Sequence, residues 1–153
     1  MANKKNTALV LEKFLPYRLS YLTNIISQQI SRLYTAEFDI TPHEWKILAI
    51  LNRYPNISAA LAGDRTAMDK VAVSRAVKGL SGKGLIHKIF SAQDKRRSVL
   101  SLSDKGQDIF HKIEPLVTDY EQSLLAVLTP EQQVQLDQLL TKMTHHTSED
   151  TSL

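Results

Sequence analysis

Between Arg65 and Arg97 the chain carries nine lysines and arginines (Arg65, Lys70, Arg75, Lys78, Lys83, Lys88, Lys95, Arg96 and Arg97) against two acids, Asp69 and Asp94. The stretch is seven charges positive in a chain of formal net charge +3, so the remainder is four charges negative. Cations gathered on one contiguous stretch, with acid elsewhere, are the footprint of a surface that meets a polyanion. Duplex nucleic acid, with a phosphate charge every ~1.7 Å of axis, is the commonest such partner. A solvated basic face has the same composition, and charge alone leaves both readings open.

The residue types sharpen the choice. Arg75 on a helix face can bond guanine N7 and O6 together, worth about 1–3 kcal/mol of discrimination, and Ser74 beside it can also reach a base edge. The alternative is an arginine solvated or paired with Asp69 on the same helix. Val71 lies on the same helix as a further contact. Lys70 and Lys78 flank these residues and suit phosphate, which positions a protein without reading sequence. Asp94-Lys95-Arg96-Arg97 forms a second cationic point at the tip of a predicted hairpin. Arg96 there suits a narrow minor groove, where the potential is most negative. Lys95 and Arg97 suit phosphate. Phosphate repels Asp94, so its expected work is to organise the tip through backbone or a nearby arginine. A merely mobile charged turn is the other reading.

Other chemistries lack their residues. There is no Gly-rich phosphate loop, no His-Glu-x-x-His and no nucleophile elbow. Cysteine is absent, which removes disulfides, Cys-ligated zinc and thiol redox sensing. His145-His146 is a weak metal hint, since adjacent helical residues do not face one site, and residues 145–153 read as a frayed polar tail. The expectation is no enzyme, no cofactor and no metal. No long apolar run follows the polar and basic start, and the longest apolar stretch, residues 47–51, is far short of a membrane span. A cytoplasmic protein is expected.

The elements that must hold these residues follow from periodicity. A first helix opens near Pro16 and carries Leu19, Leu22, Ile26, Ile30 and Leu33 at three- and four-residue spacing, until residues 38–40 break it. Thr41, Pro42 and Glu44 spell a capping box for a second helix, with Trp45, Ile47, Leu48 and Leu51 inward. A short helix is predicted over 58–65 with Ile57 and Leu61 as its apolar contacts. The next starts at Asp69, buries Val73, Val77 and Leu80 with Ala76 beside them, and ends at Gly82 and Gly84. Alternating runs at 85–90 and 98–102 predict a hairpin. A long helix over 103–128 is expected to kink at Pro115. Thr129 to Gln132 repeat the cap grammar before a last helix bearing Val134, Leu136, Leu139, Leu140 and Met143. The fold class is mainly α with a small β-wing: an N-terminal dimerisation helix over 1–40, a winged helix-turn-helix over 41–102, and C-terminal dimerisation helices and tail over 103–153. The outer helices carry more apolar surface than such a domain needs, which points to a homodimer.

Residues 40–45, 69–80, 83–85, 94–96 and 100–106 together resemble the MarR family of bacterial transcriptional regulators. Its most specific signature is Asp-x-Arg, an apolar strand, then Ser/Thr-x-x-Gly, present here from Asp94-x-Arg96 to Gly106. The resemblance implies an obligate homodimer with two winged lobes, each placing a recognition helix in the major groove of double-stranded DNA and a wing arginine in the minor groove. It implies a repressor of a palindromic operator, released by a small, often aromatic, effector. Residues 66–75 are also similar to members that control aromatic-acid catabolism, some of which sense aromatic CoA thioesters. Effector contacts expected on this basis are Arg18, Tyr21, His43 and Trp45, although Trp45 is more often core, His43 more often plain surface, and Arg18 at least as readily an ion-pair partner. Tyr17 and Tyr34 belong to the same group. The competing class is a helical small-molecule or protein-binding module that grips an acidic partner.

Overall fold

A computed structural model describes residues 9–90 and 98–150 of the chain. After a single 3-10 turn, Leu11–Lys13, helix α1 covers Leu15–Phe38 with a proline in its first turn, where a missing N–H costs nothing. It stops at Asp39, whose left-handed backbone (φ 53°) turns the chain into buried Ile40. Thr41 then caps α2, Pro42–Arg53, through the complete box: Glu44 N donates to Thr41 Oγ1 (3.2 Å) and Thr41 N to Glu44 Oε2 (2.8 Å). Such a cap stabilises by about 1 kcal/mol. Ile47, Leu48 and Leu51 are buried on the inner face, and Trp45 is half-buried.

Helix α3, Ala59–Thr66, is capped by Ser58, whose Oγ accepts from Leu61 N at 3.1 Å. Leu61, expected as an apolar contact, is 39% exposed, and Ala62 and Gly63 are the buried positions of this helix. Ile57 does not belong to that helix face either. It precedes the cap and pairs with the hairpin: Leu100 N donates to Ile57 O (2.8 Å) and Asn56 N to Leu100 O (3.0 Å).

The turn Ala67-Met68-Asp69 leads into α4, Lys70–Gly82, with the Asp69 carboxylate accepting from Ala72 N at 2.8 Å. Val73, Ala76 and Leu80 form its buried face, and Val77 is only half-buried. The residues packed beneath α4 therefore run along Val73, Ala76 and Leu80, at three- and four-residue steps, with Val77 on the edge of the stripe. Gly84, at φ +70°, makes the turn that a side chain would strain. Strands β1, Ile86–Phe90, and β2, Ser98–Leu102, pair antiparallel, with Ile86 opposite Leu102, Lys88 opposite Leu100 and Phe90 opposite Ser98. Residues 91–97, which carry the expectations for Asp94, Lys95, Arg96 and Arg97, lie outside the described residues.

Helix α5, Asp104–Leu125, continues through Pro115 and ends three residues before the expected 128. Helix α6, Pro130–Asp150, begins with a second box, Thr129 N to Gln132 Oε1 (2.9 Å) and Gln132 N to Thr129 Oγ1 (3.2 Å). It carries His145 and His146 within the helix, which corrects the reading of a frayed tail from residue 145. No Gly or Pro interrupts the stretch, and the Thr147 and Ser148 hydroxyls bond back to Met143 O (2.9 Å) and Thr144 O (2.8 Å).

The chain forms two compact units, Met1–Glu114 and Pro115–Leu153. The first has a closed core in which Ile40, Ile47, Leu48, Leu51, Leu80, Leu85, Leu100 and Ile113 are essentially inaccessible. In the second, no described residue is buried, and Val134, Leu136, Leu139, Leu140 and Met143 all face solvent. Leu19, Leu22 and Leu33 of the α1 stripe are likewise exposed, and Tyr34 is that helix's one buried residue among those described.

Candidate nucleic-acid interface

Because Val73, Ala76 and Leu80 anchor α4 from beneath, its opposite face must present Lys70, Val71, Ser74, Arg75 and Lys78, and all five are exposed. They are the residues the sequence singled out on this helix, and the fold brings them onto one ridge. Val71, an apolar side chain 59% exposed, has no core function there. Arg75 has no ion pair among the described residues, and Asp69 spends its carboxylate on the helix cap. The alternative of an Asp69–Arg75 pair is not formed.

Grooves flank the ridge. One, of about 510 Å³, lies between α3, α4 and β1 and gathers Lys70, Ser74, Lys78 and Lys88 over an apolar floor that includes Val73 and Val77. The other, of about 620 Å³, runs between α4 and the start of α2 and is lined by His43, Val71 and Arg75. Lys88 belongs to the basic stretch but is not among the contacts expected from the sequence. Its signal was the period of two along β1, which puts it on the strand face shared with Ile86 and Phe90.

Two other cations of the basic stretch are engaged elsewhere. The Lys83 ammonium donates to Glu44 Oε2 (2.9 Å) and Oε1 (3.1 Å) and to the Asp39 carbonyl. The Arg65 guanidinium lies over the Tyr54 ring, 4.0 Å from its centroid. Among the described residues the remaining cations of this stretch are therefore concentrated on α4 and β1.

The four expected effector contacts fall in three places. Arg18 and Tyr21 line an open groove of about 680 Å³ on α1, where Tyr17 and Tyr21 stack with centroids 6.1 Å apart. His43 lies beside Arg75 in the groove at α4. Trp45 lies with Tyr34 (5.8 Å) and Phe110 (5.4 Å) in an aromatic cluster. Within a single chain the structure does not bring them into one cavity. Burial pushes the Tyr34 hydroxyl up to about 12. Among the described residues no cluster of three His, Asp or Glu could hold a metal ion, and no helix is long and apolar enough to cross a membrane.

The model of the MarR family matches residues 38–97, a span that takes in α2, α3, α4 and β1. The multiple antibiotic resistance protein MarR of Escherichia coli is 27% identical over 143 residues, covering 91% of this chain and 98% of its own. A MarR/EmrR family transcriptional regulator from Acinetobacter sp. ADP1 superposes with a TM-score of 0.84 at 27% identity, over 92% of this chain and 99% of that one. The chain is similar to MarR-family regulators over most of its length. That likeness supports a DNA-binding transcriptional regulator and not an enzyme. The chain's winged helix-turn-helix fold is also that of Staphylococcus aureus MepR in complex with DNA, with a TM-score of 0.80 at 23% identity over 88% of this chain and 98% of that one. In this chain α3 and α4 form the helix-turn-helix, and β1 and β2 form the stem of the wing.

Proposed function

We propose that the chain is a homodimeric repressor that holds a palindromic operator and leaves it when a small aromatic acid or its CoA thioester binds. The observation that carries the DNA reading is the α4 ridge, where Lys70, Val71, Ser74, Arg75 and Lys78 are all exposed over a buried face of Val73, Ala76 and Leu80. Arg75 would read guanine, Val71 a thymine methyl, and Ser74 either strand, while Lys70 and Lys78 take phosphate. At the wing Arg96 would enter the minor groove, Lys95 and Arg97 would take phosphate, and Asp94 would organise the tip.

Dimerisation is supported by apolar surface that a single chain leaves open. On α1 this includes Leu15, Leu19 and Leu22, and on α6 Val134, Leu139 and Leu140. Segments 1–40 and 103–153 would supply the interface and 41–102 the DNA-binding lobe. The two-fold then requires half-sites about one helical turn, ~10 bp, apart. For the effector, the chemistry at hand is the α1 groove, where the Tyr17–Tyr21 stack offers aromatic faces and Arg18 a cation for a carboxylate. An effector that favours a different spacing of the two α4 helices shifts the population away from the DNA-bound form.

Fluorescence anisotropy with the DNA upstream of the chain's own gene, against random DNA at two salt concentrations, tests this reading. Tight, salt-sensitive binding to a palindrome, lost on adding aromatic acids or their CoA thioesters, is the expected result. Equal, weak binding to both DNAs, unaffected by those compounds, contradicts it.

A further inference from the structure

The turn that ends α4 is held from two sides. From the first, Lys83 reaches back to the corner between α1 and α2, where its ammonium meets both Glu44 oxygens (2.9 and 3.1 Å) and the Asp39 carbonyl, with the Asp39 carboxylate 3.6 Å away. Three donors are thereby committed, all that an ammonium has. From the second side, Lys105 Nζ donates to Lys83 O (3.0 Å) and Ser103 Oγ to Gly84 O (2.7 Å), both from the start of α5. Glu44 is itself buried, 4% exposed, and its carboxylate also accepts from Thr41 N at 2.8 Å. It packs so closely on α4 that a Cβ at Gly79 would collide with Glu44 Oε1.

We propose that Lys83 is a positioning residue for DNA recognition: through Glu44 and Asp39 it sets the tilt of α4 against the α1–α2 corner, and it does so without touching DNA. The proposal rests on the reading of α4 as the base-reading helix. Arg75 lies eight residues before this anchor, about 12 Å along the helix. A tilt of about 5° about the anchor displaces Arg75 by ~1 Å, beyond the ~0.5 Å within which a bidentate contact keeps its geometry. The same displacement matters little to Lys70 and Lys78, whose phosphate contacts are point charges on flexible stems. Loss of Lys83 therefore removes sequence discrimination while leaving the electrostatic hold intact. It also leaves the buried Glu44 charge without its cation, so the corner relaxes rather than keeping its shape.

The test is an anisotropy titration of the full-length wild type, Lys83→Met, Lys83→Arg and Glu44→Gln on operator and random DNA over a series of salt concentrations, with thermal melting as a check on folding. Lys83→Met is expected to lose about tenfold or more on the operator, with random-DNA affinity and the salt slope unchanged. Lys83→Arg, which can still bond the Glu44 carboxylate, is expected to recover most of that loss, and Glu44→Gln to show a smaller loss of the same kind. If Lys83→Met does not fold, Lys83→Gln is read in the same two ways. A salt slope reduced by about one unit, with equal losses on both DNAs, would make Lys83 a phosphate contact and overturn the proposal. So would unchanged discrimination in a folded Lys83→Met. A wild type that holds operator and random DNA alike would overturn the reading of α4 itself, a distinguishable failure.

Discussion

The indole of Trp45 lies nearly parallel to the ring of Phe110, with centroids 5.4 Å apart and planes 10° apart, and the tilted ring of Tyr34 lies 5.8 Å from it. Three helices, α1, α2 and α5, meet in this cluster, in which Tyr34 and Phe110 are both buried. Offset rings at this spacing add about 0.5–1.5 kcal/mol to their area burial. Phe110→Ala is therefore expected to cost about 3–5 kcal/mol. Urea unfolding at fixed protein concentration reads this directly, because Trp45 is the chain's single tryptophan. A cost below about 1 kcal/mol would mean the stack is incidental.

The same burial makes Tyr34 a pH-dependent element. Its hydroxyl ionises at about 12 in the folded chain against 10.0 in an exposed one, because burial disfavours the phenolate. The raised value means that the folded state holds the proton more tightly. The contribution is fully present below pH 10.0 and is lost as pH rises from there to about 12. A phenolate absorbance titration should show one of the five tyrosines ionising after the rest, and Tyr34→Phe should remove that late component. Five tyrosines titrating together in the folded protein would contradict the burial.

Ala67 occupies a left-handed conformation (φ 51°) in the turn between α3 and α4. A Cβ costs roughly 1–2 kcal/mol in that region, and glycine gives back part of the gain through the entropy of the unfolded chain. Ala67→Gly is expected to stabilise by about 0.5–1 kcal/mol, a rise of a few degrees in Tm by calorimetry. A fall in Tm would show that the Ala67 methyl packs usefully.

What the sequence made legible was local. The Thr41–Glu44 box, the Asp69 cap, the hairpin and the exposed row on α4 each follow from residues within a few positions of one another. What it hid was long-range. Glu44 reads as half of a cap, and nothing near it announces Lys83, which lies 39 positions away. Ile57 reads as a helix contact because its spacing to Leu61 fits a helix, yet it pairs with Leu100 of the hairpin. The α1 stripe has clear helical periodicity, but periodicity says that a face is apolar and not what covers it. Trp45 reads both as core and as effector contact for the same reason, and its partner Phe110 comes from a helix distant in sequence.

The central claim is that α4 reads sequence through Arg75 and holds phosphate through Lys78, both exposed on one ridge. The most direct measurement is operator and random-DNA affinity across a salt series for wild type, Arg75→Ala and Lys78→Ala. Arg75→Ala is expected to lose about 1–3 kcal/mol per half-site on the operator, with random DNA little affected. Lys78→Ala should weaken both DNAs alike and flatten the salt slope by about one unit. Operator binding untouched by both substitutions would contradict the assignment of α4 as the recognition helix.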